Sequence, residues 1–400
     1  MPAPVRARAD TCPGVFAPHD AADGALARVR LPGGLVTDVQ LRVLAGCADE
    51  LGDGAVHLTS RGNLQLRGLD RDDPALAERL TAAGLLPAPG HERMRNILAS
   101  PLSGYRGGRA DVRGLAQALD RALCARPALA GLPGRFLFAL DDGRGDVAAE
   151  EPDLCWRAVD ATTGTLLVAG APSGVQVPAA GAVDVLLAAA EAFLALRAAD
   201  GDPVWRVREL ADAPARITAR LPGGHRAAPR GAADRAPSPA RLPVGPVVQD
   251  DGGRAVGVAP LLGELATAQL RLLADLAPRA VVTPWRTILL PDLPGPTADA
   301  LRRLRAAGLV VDADAPALGV SACAGRPGCA KALADVRADT RAALDAGLPG
   351  GLRAHVVGCA RRCGAPNGPH TDAVAETDGY RVDGTWVPAD RLVAALRGSA

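Results

Sequence analysis

Gln40-Leu41-Arg42-Val43-Leu44-Ala45 is written again as Gln269-Leu270-Arg271-Leu272-Leu273-Ala274. The echo continues. Thr59-Ser60-Arg61 through Leu69 is matched by Thr283-Pro284-Trp285 through Leu293, and Leu80-Thr81-Ala82-Ala83-Gly84-Leu85 by Leu304-Arg305-Ala306-Ala307-Gly308-Leu309. One such block arises easily in a chain rich in Ala, Leu and Arg. Three in the same order mark a duplicated structural unit.

Each copy reads helix, strand, helix. Thr37 to Ala48 places Val39, Val43, Leu44 and Cys47 at helical spacing. Val56 to Leu66 alternates apolar and polar residues, which predicts a strand. Asp73-Pro74 opens a helix that Gly84 closes. Strands over Leu26 to Leu31 and Ala255 to Val258 precede the two copies. Such units predict a split βαβ, ferredoxin-like half. Between the copies, strands are expected at Phe136 to Leu140 and Thr165 to Val168, with a helix over Val183 to Arg197. The whole is α+β: an internally duplicated chain of two ferredoxin-like halves and two α/β lobes. The expected divisions are 10–88 (first half), 89–224 (first lobe), 225–243 (a flexible linker rich in Ala, Pro and Arg), 244–312 (second half) and 313–400 (second lobe).

Composition narrows the function. The chain has 400 residues, too many for one core, so several domains are expected. It carries 45 basic and 44 acidic residues, which argues against nucleic-acid binding by bulk charge. Lys331 is the only lysine; every other strong base is arginine. Met1 to Gly14 lacks the apolar core of a signal peptide, and the most apolar helix is interrupted by Asp184 and Glu191. No membrane span and a cytoplasmic location are expected, where disulfides are disfavoured.

Of eight cysteines, Cys12, Cys47, Cys124 and Cys155 are scattered and read as free thiols. The others form two pairs, Cys323-x5-Cys329 and Cys359-x3-Cys363. Neither spacing suits the Cys-x2-Cys knuckles of a zinc ribbon. Four thiolates from two loops suit an iron–sulfur cluster better. Gly325, Gly328, Gly358 and Gly364 flank them and let the backbone come close. Cys329 is expected to start an amphipathic helix bearing Leu333, Val336, Ala343 and Leu344, and Arg326, Lys331, Arg361 and Arg362 add positive charge.

Spacing and duplication together resemble the sulfite and nitrite reductase superfamily, in which a [4Fe-4S] cluster lies beside a tetrapyrrole. His57-Leu58-Thr59-Ser60-Arg61-Gly62-Asn63-Leu64-Gln65-Leu66 resembles that family's Thr-x-Arg-x-x-x-Gln strand, and Arg95-Asn96-Ile97-Leu98-Ala99-Ser100-Pro101 its Arg-Asn segment. The resemblance covers nearly the whole chain. It implies cluster ligands Cys323, Cys329, Cys359 and Cys363, the last of which in relatives bridges to siroheme iron. It also implies anion-binding roles for Arg61, Asn63, Gln65, Arg95, Asn96, Arg106, Arg135, Arg361 and Arg362. Ala99-Ser100-Pro101 falls near the place of the second half's first cysteine, so no cluster is expected in the first half.

One departure separates the branches. Siroheme reductases carry a Pro-Arg-Lys-Phe-Lys-like strand whose lysines bind and protonate a small anion. Here the matching stretch is Leu132-Pro133-Gly134-Arg135-Phe136-Leu137-Phe138, and Leu137 has no proton to give. With Phe138-Ala139-Leu140-Asp141-Asp142-Gly143, the segment is more similar to the precorrin-3B synthase branch. That branch implies O2-dependent hydroxylation and γ-lactone formation on the carboxylate-rich precorrin-3A. Electrons would come from an NAD(P)H-linked donor through the cluster, and a mononuclear non-haem iron, with His57, His355 and His370 as candidate ligands, would act on O2. A siroheme-dependent sulfite or nitrite reductase and a non-catalytic ferredoxin-type carrier are the alternatives.

Overall fold

The computed structural model describes residues 12–201, 204–223, 226–227 and 243–398. The linker expected over 225–243 lies almost wholly outside the described residues. Four sheets carry the fold.

The first antiparallel sheet runs His19–Ala21, Gly24–Val29, Leu64–Leu69, Ala55–Leu58, and then takes Glu264–Ala266 from the second copy. The second runs Gly245–Val248, Arg254–Val258, Ile288–Leu290, Arg279–Val282, and then takes Leu35–Thr37 from the first. Each half therefore lends its partner an edge strand, with Val56 opposite Leu265 and Val36 opposite Ala280. The divisions expected at 88 and 244 separate segments of chain; the sheets cross them. The strand read over Val56 to Leu66 is two strands, broken by a turn at 59–63 that later positions Arg61.

Helices Asp38–Leu51 and Thr267–Leu276 pack together on the axis that relates the halves. Their cores are continuous, with Leu41, Leu44, Leu270 and Leu273 at 1% exposure or less. Burying each such leucine contributes about 2 kcal/mol. The duplication is preserved in hydrogen bonds as well as in sequence. Gln40 Oε1 accepts from Thr37 N and Gln269 Oε1 from Ala266 N, both at 3.0 Å. Gln40 Nε2 donates to Ala83 O (3.0 Å) and Gln269 Nε2 to Ala307 O (2.8 Å). Gly34, at φ 73°, lets this turn approach the other half: a Cβ there would lie 2.0 Å from Val282 O.

The two lobes also share a plan. In the first, Ile97–Ala99, Phe138–Asp141 and Leu154–Ala158 are parallel, and Thr163–Val168 and Ala171–Pro178 continue antiparallel. In the second, Val320–Ala322, Ala354–Val357 and Thr371–Glu376 are parallel, followed by antiparallel Gly379–Val382 and Thr385–Pro388. Helices Arg113–Cys124 and Val336–Asp345 make the corresponding crossovers. The helix Ala182–Asp200 has the length and apolar composition of a membrane span. It buries Leu186, Leu187, Phe193 and Leu196 in the first lobe's core.

Candidate iron–sulfur site and arginine cluster

The four paired cysteines meet at one end of the second lobe's sheet. Cys323 follows the strand Val320–Ala322; its N–H donates to Val356 O at 3.1 Å, and its Sγ accepts from Gly358 N at 3.2 Å. Cys329 lies in the crossover loop, where Ala332 N donates to Cys329 O (3.0 Å) and Leu333 N to Gly358 O (2.8 Å). These bonds lay the two cysteine loops against each other. Gly358 permits it, because a Cβ there would lie 2.5 Å from the Ala332 Cβ. Cys359 and Cys363 bracket a turn closed by Arg362 N and Cys359 O at 3.3 Å. Burial pushes the Cys363 thiol up, and Cys323, Cys359 and Cys329 all push it further, the mark of four sulfurs grouped around one place.

The donor set fits a [4Fe-4S] cluster. Among the described residues, the one group of three ligand atoms within 4.8 Å of one another is Asp141, Asp142 and Asp146. No three of the four sulfurs are that close together, which leaves room for a cubane among them. One expectation is corrected. Cys329 does not start a helix: the helix is Val336–Asp345, capped by Asp335, whose side chain accepts from Ala338 N. The backbone here bonds to other loops instead, Leu333 N to Gly358 O and Arg326 N to Ala334 O, and Leu333 is left 48% exposed. Of the cations expected here, Arg326 donates to Ala332 O, Arg362 pairs with Asp372 at 2.8 Å, and Lys331 and Arg361 are exposed. Arg361 lies close enough to Cys363 to favour its thiolate.

Buried cations that the sequence did not single out hold the loops. Arg67 pairs with Asp23 and donates to Gly328 O at 2.6 Å, next to Cys329. Arg286 donates to Gly364 O at 3.1 Å, next to Cys363. The sign of Arg67 was available in the motif strand, two residues beyond Gln65. Arg286 stands where the first copy has Gly62, and both take positive φ (56° and 62°).

A second cationic group lies on the first half. Arg61 projects from the 59–63 turn, and burial followed by Arg206 lowers its pKa to about 10. Arg30 is 1% exposed, is lowered to about 10 chiefly by burial, and its Nε has no acceptor among the described residues. Arg28 is aimed by Gln65, whose Oε1 accepts from Nε (3.2 Å) and Nη2 (2.7 Å). Arg28 and Arg30 both donate to Cys12 Sγ. Arg206 is paired with Asp153 at 2.7 Å. Asp153 pairs with Arg206 and Glu92 lies near Arg30, so four guanidiniums face two buried carboxylates, an arrangement that invites a further anion.

Other expected site residues lie elsewhere. Asn63 and Asn96 form a buried seam between half and lobe: Asn63 Nδ2 donates to Asn96 Oδ1 (3.1 Å), Asn63 Oδ1 accepts from Leu31 N, and Asn96 Nδ2 donates to the carbonyls of Arg93, Gly134 and Phe136. Arg95, 3% exposed, grips Asp120 with two nitrogens and donates to Leu85 O. These groups are spent inside the protein. Arg106 is exposed, and Arg135 stacks over the Trp205 ring at 4.9 Å. The three histidines do not assemble into an iron site. His57 lies between Asp53 (3.3 Å) and Glu264 (3.7 Å). His355, lowered to about 4 by burial, uses both ring nitrogens, on Ser321 Oγ (2.8 Å) and Cys363 O (3.2 Å). His370 contacts Gly368 O and Asp372. This set does not fit a mononuclear iron.

The first lobe repeats the cysteine site without cysteines. Ser100 occupies the place of Cys323. Ser100 N donates to Leu140 O (3.1 Å) as Cys323 N does to Val356 O, and Asp142 N donates to Ser100 Oγ (3.1 Å) as Gly358 N does to Cys323 Sγ. Carboxylates fill the rest. Asp141 accepts from Gly143 N, Gly145 N and Ala148 N, Arg144 pairs with Asp142 (2.6 Å), and Ser100 Oγ donates to Asp146 at 2.6 Å.

Comparison with known proteins is consistent with this duplication. The family model described as the nitrite/sulfite reductase ferredoxin-like half domain matches residues 19–83 and 247–307, one match per copy. A precorrin-3B synthase from Sinorhizobium sp is 28% identical over 386 residues, covering 93% of this chain and 82% of that protein. A ferredoxin–nitrite reductase from Synechococcus elongatus is 39% identical over 140 residues, 33% of this chain, and the match spans only 27% of that protein. The structure of the Mycobacterium tuberculosis NirA protein superposes with a TM-score of 0.72 at 21% identity, covering 92% of this chain and 79% of that one, which establishes a shared fold.

Proposed function

We propose that this chain, which belongs to the sulfite/nitrite reductase superfamily, is a precorrin-3B synthase: a cytoplasmic enzyme that hydroxylates precorrin-3A with O2 and closes a γ-lactone on it. The observation that carries the reading is the alignment to a precorrin-3B synthase along 93% of the chain, against 33% for the nitrite reductase. Leu137 supports it. It is 2% exposed among Leu98, Ala139, Cys155 and Leu167, where the reductase branch needs a lysine to bind and protonate a small anion.

The chain's residues suit the substrate. Precorrin-3A bears many carboxylates, and Arg28 and Arg61, which are only partly buried, offer charged forks to receive them. Gln65 holds Arg28 in place, and Asp153 does the same for Arg206. Trp285, which stands where the first copy has Arg61, donates to Glu150 at 2.8 Å, and Asn367 donates to the other oxygen at 3.2 Å. These bonds tie the first lobe to the second half and to the loop beyond Cys363. Cys323, Cys329, Cys359 and Cys363 would hold a [4Fe-4S] cluster, which supplies single electrons drawn from an NAD(P)H-linked donor.

The local 39% identity to a nitrite reductase favours a second reading, a siroheme-dependent reductase. Assay with precorrin-3A in air and under argon decides. The proposal expects O2-dependent product and no siroheme in acid-acetone extracts. Stoichiometric siroheme with turnover of nitrite or sulfite, and no turnover of precorrin-3A, would overturn it.

A further inference from the structure

Arg337 is the second residue of the helix that follows the Cys329 loop, and its side chain is only 13% exposed. Nη2 donates to Leu262 O at 2.8 Å, and Nη1 lies 3.4 Å from Glu264. Nε is buried with no acceptor among the described residues. Cys323 is near enough to favour the cation, while Arg341 and Arg67 oppose it, and Arg337 in turn opposes Arg286. Arg67 is buried and Arg286 and Arg337 are partly so; the first two bond the cysteine loops at Gly328 O and Gly364 O, and Arg337 stands on the helix that leaves them. The carboxylates facing them are Asp23, which Arg67 occupies, Asp53, which also lies near Arg67, and Glu264, which Arg337 shares with Arg341 and His57. Four arginines, counting Arg341, thus face three carboxylates in a place partly withdrawn from water. Such an excess of charge is costly unless an anion lies beside it.

We propose that Arg337 is a positioning residue that sets the reduction potential of the iron–sulfur centre. The inference rests on reading the four cysteines as cluster ligands. A [4Fe-4S] cluster on four thiolates is an anion, and uptake of one electron makes it one unit more negative while no bond forms or breaks. A fixed buried cation with an open N–H stabilises the reduced form more than the oxidised form, which raises the potential.

The test is an EPR-monitored titration of anaerobic holoprotein with dithionite. Arg337→Met keeps the stem and removes the charge. It should retain its iron yet titrate at a lower potential, with the reduced-to-oxidised ratio at fixed potential falling at least tenfold, or 59 mV. Arg337→Lys, which keeps a charge and loses the Nε–H, should fall between the two and provides the test if the Met variant does not fold. Arg341→Met also removes a cation from Glu264, but from a more exposed position, and should shift far less. A full cluster with wild-type potential in both Arg337 variants, or an equal shift from Arg341→Met, overturns the inference alone. Absence of a cluster from the wild-type protein overturns the cysteine reading as well.

Discussion

The two lobes spend the same backbone on opposite chemistry. Both end their first strand in a residue whose side chain accepts an N–H from the loop after the next parallel strand, at 3.2 Å for Cys323 and 3.1 Å for Ser100. In the second lobe that acceptor is soft, three more thiols join it, and buried arginines approach with positive charge to spare. In the first, a hydroxyl, three carboxylates and Arg144 satisfy one another. The scaffold offers loops that converge beside a sheet; the side chains on those loops decide between a group of four thiols and a self-contained polar plug.

The sharpest way to break this contrast is at the thiols. Cys359→Ser should abolish oxygen-dependent turnover of precorrin-3A, at least a hundredfold below wild type; retained turnover would remove the electron-transfer role. The plug should respond differently. Asp142→Ala leaves the half-buried Arg144 without its main partner, so urea unfolding should show a loss of about 2 kcal/mol with iron content unchanged. Substrate affinity comes next. Arg61→Ala should raise the Michaelis constant about tenfold, one lost charge-assisted contact, with the cluster intact; an unchanged value would remove Arg61 from the site.

The plug also has a pH signature. Burial, followed by Asp141, raises Asp146 to about 7 from 3.8. The folded state then binds more protons than the unfolded one between those values, so this carboxyl's contribution to stability is present at low pH and is lost as pH rises from about 4 to about 7. Unfolding at pH 5 and pH 8 should show a smaller drop in Asp146→Asn than in wild type. The smallest effect compares the halves. Thr37 caps its helix through Gln40 N, whereas the second copy has Ala266 at that place, so Thr37→Ala should cost about 1 kcal/mol.

Much of the fold was legible because it is written twice. The Gln40 and Gln269 blocks betrayed the duplication, and helix periodicity located the paired helices to within a few residues. The exchanged strands Leu35–Thr37 and Glu264–Ala266 were not legible: three residues carry too little alternation, and pairing across halves leaves no local trace. The thiols were legible because four cysteines in two tight pairs suit few roles besides holding a metal centre. The arginines were harder. Arg61 and Arg95 occupy equally suggestive motifs, yet Arg61 joins the arginine group and Arg95 grips Asp120, a difference that depends on a helix 25 residues away. Arg337 had no motif at all; only its partial burial against Leu262 and Glu264, with Nε left open, singles it out.

Iron and acid-labile sulfide in anaerobically purified wild-type and Cys359→Ser proteins test the central contrast most directly. The expected result is about four of each per wild-type chain, the content of one cubane, and loss of both from the variant. A wild-type chain carrying zinc in place of iron, or a cluster that survives in Cys359→Ser, would contradict it.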